Sequence, residues 1–239
     1  ALGLFRCFQA VIVHVPMGHE GLIPEALGET LAQLAREGRR VKLLYTVVNF
    51  HNPKGVTLSL DRRPRIVEIA KRYGVLILED NPYSLLGFDG DPMPSLKSFD
   101  SDGVVYLGSF SKTFAPGLRV GWAYAPLAIR EKLVLAAESA ILSPSVINQM
   151  IVTRYLTGFA WYQQVKEFRT MYKGRRDAPD VRAGRAAAEP VVDRAERRVL
   201  LVAQPAPRPG REGHAAPRRD EPGRLHLRHR VLRRRPGRR

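Results

Sequence analysis

Between Ala10 and Leu78 three continuous apolar runs alternate with two amphipathic stretches, and this alternation limits the possible folds more than any other feature of the chain. Ala10–Val15 is a short apolar run ending at Pro16. Pro24 then opens a helix at its first turn, where a missing N–H costs little. Leu27, Leu31, Leu34 and Ala35 give that helix one apolar face, and Gly38 ends it. Val41–Val48 is the second run. A second helix, capped by Ser59 or Asp61, carries Ile66, Ile69, Ala70 and Tyr73 and closes at Gly74. Val75–Leu78 is the third run and leads into Glu79-Asp80. Strands without polar alternation, separated by helices, imply parallel βαβ units in a sheet covered on both faces. The runs at 104–108 and 120–125 extend the sheet, and from about Leu127 to Leu156 the pattern is helical, with a break near Ser143-Pro144. The expected fold class is α/β, with a central, mostly parallel sheet and helices on both faces.

Ligands of such sheets sit beyond the carboxyl ends of the strands. Three loops with suitable chemistry leave those ends: Asn52-Pro53-Lys54-Gly55, Asp80-Asn81-Pro82-Tyr83 and Ser109-Phe110-Ser111-Lys112. Each has a plain alternative, namely a turn, a strand-end cap and a solvated lysine. Lysine is rarely buried without a partner, and a desolvated lysine is a nucleophile toward carbonyls. Ser109, Ser111 and Arg119 surround Lys112 with two hydroxyls and a fixed cation, a set that suits a phosphate monoester. An aldehyde and a phosphate on one small molecule describe pyridoxal 5′-phosphate. No metal-ligand cluster stands out.

Charge separates the chain into two regimes. The net charge of +16 would suggest an anionic partner. However, residues 173–239 hold 20 of the 39 Lys+Arg and 8 of the 23 acids, a net +12, which leaves +4 for residues 1–172. After Tyr172 there is no aromatic residue, no Ile, Met, Ser, Thr, Asn or Cys, and Val plus Leu number 11 of 67. A stretch this poor in large apolar residues is expected to be disordered. The domain division read from composition is therefore 1–172 and 173–239. No apolar run approaches a membrane span, and the single cysteine, Cys7, fits a reducing, cytoplasmic setting.

Asn-Pro-x-Gly, then Asp-x-x-Tyr, then Ser-x-Ser-Lys with an arginine seven residues on, resembles the pyridoxal-phosphate aminotransferases of class I/II, fold type I. The strings Leu44–Ser59 and Gly108–Trp122 are most similar to the 2-aminoadipate/kynurenine-type branch, which also supplies the effector half of MocR-type transcription regulators. The likeness covers roughly Ala1 to Ala178. It implies that Lys112 forms the internal aldimine and moves the substrate α-proton. It also implies that Asp80 pairs with the protonated pyridine nitrogen, that Asn52 and Tyr83 hydrogen-bond the ring hydroxyl, and that Ser109, Ser111 and Arg119 bind the phosphate. The implied function is transfer of an amino group between an amino acid and a 2-oxo acid, by a homodimer in the intact family, with neither membrane nor nucleic acid as partner.

The departures are equally specific. Family members carry a ring-stacking aromatic and a Gly/Ser phosphate loop before the point matching Ala1, and a C-terminal domain whose arginine grips the substrate carboxylate. Here the arginine-rich tail stands where that domain is expected. With permitted codons, reading from the second base turns Arg198–Pro205 into Gly-Phe-Tyr-Leu-Trp-Leu-Ser-Leu, a family-like strand. Residues 180–184 and 225–236 yield family-like segments in the same frame. The tail is thus expected to be a frameshifted reading of the small domain, and the chain to be a fragment with little or no transaminase activity. The alternatives are a regulator's cofactor-sensing half and a basic nucleic-acid-binding extension.

Overall fold

The computed structural model describes residues 2–88, 90–178 and 198–203. In chain order the elements are α1 (Leu2–Cys7), β1 (Val11–Gly18), β2 (Gly21–Leu22), α2 (Pro24–Arg36), β3 (Val41–Val47), α3 (Arg62–Arg72), β4 (Leu76–Asp80), β5 (Val104–Ser109), β6 (Gly121–Tyr124), α4 (Leu127–Ile141), α5 (Val146–Gly158), α6 (Trp161–Asp177) and β7 (Arg198–Ala203). The strands form one sheet in the order β2-β1-β7-β3-β4-β5-β6. β3, β4 and β5 pair in parallel. β1 shares their direction, because β1 and β3 both pair antiparallel with β7. β2 and β6 run against their neighbours at the two edges. The fold is mixed α/β with a parallel centre. The run at 120–125 does extend the sheet, as an antiparallel edge strand.

The helical signals in the sequence have direct counterparts. α2 starts at Pro24 and buries Leu27, Leu31 and Leu34. Gly38, at φ +67°, ends it by donating its N–H to the Ala35 carbonyl. α3 buries Ile66, Val67 and Ala70 against the sheet and packs on α2. Asp61 precedes α3 but makes no side-chain cap to it. β1 continues through Pro16 to Gly18, with Pro16 aligned to Arg198. The later helices behave differently. Among the described residues α4 buries none of its side chains, α5 only Val152 and α6 only Val165. Leu133, Leu135, Ile147, Met150 and Phe159 are all exposed. No helix of the described residues is long and apolar enough to cross a membrane.

Residues 198–203 depart from the disorder expected of the tail. Val199, Leu200, Leu201, Val202 and Ala203 are its only five consecutive apolar residues, and they form β7 between β1 and β3. Val199 and Leu201 are fully buried there. Both edges of this strand are paired, so its backbone is satisfied without water. The composition boundary at 172/173 also falls inside α6, which runs on to Asp177. The windows 180–184 and 225–236 lie outside the described residues.

The loop after β3 is held from several sides. His51 donates its backbone N–H to the Val56 carbonyl at 2.8 Å, and Leu58 donates to Val48 at 2.8 Å. Lys54 Nζ donates to the carbonyls of Met17 and Gly18, both at 3.1 Å, tying the loop to the end of β1. His51 is buried, and its Nδ1 has no hydrogen-bond partner among the described residues. Burial, with the nearby Lys54 ammonium adding repulsion, holds its pKa below the ordinary 6.5.

Two outcomes follow from these contacts. Leu201→Ala is expected to lower the unfolding free energy by about 2–5 kcal/mol, read from urea denaturation, because the vacated volume lies in the middle of the sheet. The pKa of His51 is depressed on folding, so its contribution to stability is complete above pH 6.5 and is lost as pH falls through the folded value. The unfolding free energy from urea denaturation should therefore drop between pH 7.5 and 5.5, by no more than about 1.4 kcal/mol per pH unit from this group. His51→Gln should reduce that drop.

Candidate functional site

The parallel register of β3, β4 and β5 brings three loop starts to one edge, since Asp80 stands opposite Val47 on one side and Leu107 on the other. Asp80 closes β4 and is half-buried. Side chains alternate across a strand, so Tyr45 and Val47 of β3 share a sheet face with Leu78 and Asp80 of β4. On that face the Tyr45 hydroxyl donates to Asp80 Oδ2 at 2.5 Å. The edge of the Phe5 ring, from α1, meets the Tyr45 ring with centroids 5.7 Å apart at 73°. Burial, reinforced by the Asp80 carboxylate, pushes the Tyr45 phenol far above its ordinary value of 10.

The opposite face carries a buried polar chain. Glu79 is fully buried. It accepts from the Lys97 backbone N–H at 3.1 Å and from Asn81 Nδ2 at 3.3 Å. Asn49 Nδ2 donates to Asn81 Oδ1 at 2.9 Å, and Arg63 Nη2 donates to Asn49 Oδ1 at 2.9 Å. Arg63, also fully buried, spends its remaining donors on the carbonyls of Leu58 and Pro94. Burial raises the Glu79 pKa, with these donors and the Arg63 charge opposing it. Asn49 begins the loop that carries Asn52, and Asn81 begins the loop that carries Tyr83, so this chain of hydrogen bonds fixes the two loops to each other.

The lysine loop leaves β5 at Ser109. Its first constraint is Gly108. A Cβ there would lie 2.3 Å from the Trp122 indole, which covers this position and stacks on Tyr106. Ser109 Oγ then accepts the Ser111 N–H at 3.1 Å. The N–H groups of Phe114 and Ala115 both return to the Phe110 carbonyl. Arg119 has a left-handed backbone, φ +54° and ψ +34°, a conformation that a bulky L-residue adopts only when its surroundings impose it. Asn148 of α5 contributes to that restraint by donating to the Leu118 carbonyl at 2.9 Å.

The expected site residues fall on these loops. Lys112 Nζ lies 5.8 Å from the centroid of the Tyr83 ring, and Asp80 is three residues before Tyr83. Ser109, Ser111 and Arg119 share the lysine loop. Asn52 begins the cis Asn52–Pro53 peptide on the adjacent loop. One expectation changes: Lys112 is exposed rather than desolvated. The reason is local. Its loop stands on the open end of the sheet, and β6, which follows it, is exposed at every residue. The sequence alone does not mark Tyr45, Asn49, Arg63, Asn81 and Asn148 as site-forming. Only Tyr45 had a usable signal, its two-residue offset from Val47 on the strand preceding Asn52.

Comparison with known proteins places the chain in a family. The profile of the family described as aminotransferase class I and II matches residues 4–178. The aromatic-amino-acid aminotransferase 1 of Thermococcus litoralis is 39% identical over 179 residues, which are 74% of this chain and 43% of that protein. An uncharacterized HTH-type transcriptional regulator of Bacillus subtilis, YdfD, is 33% identical over 178 residues, 74% of this chain and 36% of the regulator. Among solved structures, LysN, an α-aminoadipate aminotransferase from Thermus thermophilus complexed with N-(5′-phosphopyridoxyl)-L-leucine, superposes with a TM-score of 0.65 at 32% identity. That superposition covers 74% of this chain and 44% of LysN. The chain spans less than half the length of the curated relatives it matches. Across the stretch that runs from β1 through α6 and contains every candidate site residue, the chain belongs to the class I and II aminotransferases.

Proposed function

We propose that this chain carries the pyridoxal 5′-phosphate site of an enzyme that moves an amino group between an α-amino acid and a 2-oxo acid. The observation that carries the proposal is the grouping of a strand-end carboxylate, Asp80, with the Tyr83 ring and the Lys112 amine at one sheet edge. The residues present fit the cofactor. Asp80 has one oxygen engaged by Tyr45 and the other without a partner among the described residues. The side chains of Asn52 and Arg119 likewise have no hydrogen-bond partner among them. When bound, pyridoxal phosphate supplies a carbonyl for the amino group and a ring that withdraws electrons.

The chain's own groups divide the remaining work. Lys112 offers the primary amine that anchors the cofactor carbonyl, and in its free form it takes the proton from the substrate Cα and returns it. Asp80 is an anion fixed at the point where a protonated ring nitrogen needs one. Asn52 and Tyr83 donate to the ring hydroxyl oxygen. Ser109, Ser111 and Arg119 supply two hydroxyls and a guanidinium for the phosphate oxygens. The active unit we propose is a homodimer in the cytoplasm. A second reading, favoured by the likeness to the Bacillus regulator, is an effector-binding half that holds the same cofactor without turnover. The residues after Ala178 are proposed to be the small domain read out of frame. The gene's nucleotide sequence tests this, because the alternative frame should stay open beyond codon 178.

Incubation with pyridoxal phosphate followed by borohydride should label one peptide, containing Lys112, and Lys112→Ala should abolish that label. Labelling spread over many lysines overturns the site. Asp80→Asn should keep the label but slow exchange of the substrate α-hydrogen at least about tenfold, since one pKa unit lost at the ring nitrogen is worth about 1.4 kcal/mol. A coupled assay over a panel of amino donors with 2-oxoglutarate should find little or no turnover by this chain alone. α-Hydrogen exchange in the wild type distinguishes the enzyme from the regulator.

A further inference from the structure

We infer that Tyr45 is a positioning residue for Asp80: its hydroxyl fixes the carboxylate so that a single oxygen faces a protonated ring nitrogen. The inference rests on the cofactor site proposed above. An ionised carboxylate only accepts hydrogen bonds, so in the 2.5 Å contact Tyr45 is the donor and Asp80 Oδ2 the acceptor. An aspartate at a strand end with both oxygens free can rotate about its terminal torsion, which is broad. With Oδ2 engaged, the carboxylate plane is set and Oδ1 is left as the acceptor.

The tyrosine is itself well anchored. Its backbone lies in the sheet between Leu200 of β7 and Leu78 of β4, and the Phe5 ring packs edge-on against its own. The donor is therefore as fixed as the strand, and two diagonal positions on one sheet face set the direction of the charge. The charged or titratable groups that act on the Tyr45 phenol are the Asp80 carboxylate and the Tyr83 phenol. A charge-assisted hydrogen bond of this kind restricts geometry as well as lowering energy.

The test is a double-mutant cycle on the full chain with Tyr45→Phe, Asp80→Asn and both together, since phenylalanine keeps the ring against Phe5 and removes only the hydroxyl. Pyridoxal phosphate affinity, from equilibrium dialysis, should fall about tenfold in Tyr45→Phe, equivalent to about 1.4 kcal/mol. The visible band of the bound cofactor should also shift its pH titration. In the Asp80→Asn background the same change should have almost no effect, because a residue that only supports the fold would weaken binding equally in both backgrounds. Equal losses in the two backgrounds, or no loss in either, overturn the inference. If the wild type fails to label at Lys112, the cofactor reading fails first. The contact is then read without cofactor by ultraviolet titration of the tyrosines: Asp80→Asn should bring one phenol to ionise at lower pH, and an unchanged titration overturns the contact as well.

Discussion

The site depends on a register. With Val47, Asp80 and Leu107 side by side, the ends of three parallel strands are level, and the loops that follow them open at one edge. A slip of one residue in β4 would turn Asp80 to the opposite face and take Glu79 out of the interior. The two faces therefore enforce each other. One face needs a buried acceptor at Glu79 and the other needs a charge at Asp80, and only one register meets both conditions.

The buried polar chain through Arg63, Asn49, Asn81 and Glu79 makes that register costly to lose. A satisfied network in a low-dielectric interior is rigid, and leaving one member unpaired is expensive. Apart from the local Asn81–Glu79 bond, each link joins segments separated in sequence: Arg63 from α3 to Asn49 after β3, Asn49 to Asn81 after β4, and the Lys97 amide to Glu79. The loops bearing Asn52 and Tyr83 inherit the rigidity of the core instead of relying on their own short sequences. The lysine loop is braced differently, by Trp122 over Gly108 and by Asn148 beneath Leu118.

Burial is unevenly distributed along the chain. α2 and α3 cover the sheet with regularly spaced leucines and isoleucines, whereas α4, α5 and α6 leave most of their apolar residues exposed. The Tyr155 ring of α5 stacks on Phe114 of the lysine loop at 3.8 Å, and Tyr155 in turn faces Phe159 just past the end of α5. Aromatic side chains there find one another rather than the sheet. The same openness exposes Lys112, so the amine expected from sequence to be desolvated stands at the surface.

Local pattern determined much of this protein. Pro24, the leucine spacing and Gly38 delimit α2, the apolar runs at 41–48 and 75–78 become β3 and β4, and the order of the three loops indicated one sheet edge. These are short-range properties, set by backbone propensity and by side-chain periods of two and 3.6 residues. Tertiary structure decided what depends on partners distant in sequence. Nothing near Tyr45 indicates that its hydroxyl meets a residue 35 positions away, and nothing near Arg63 indicates that it is fully buried. The composition of the tail shows only that it is poor in large apolar residues, and it could not show that Arg198–Ala203 pairs within the sheet. Average composition says little about six residues whose strand pairing comes from strands more than 150 positions earlier.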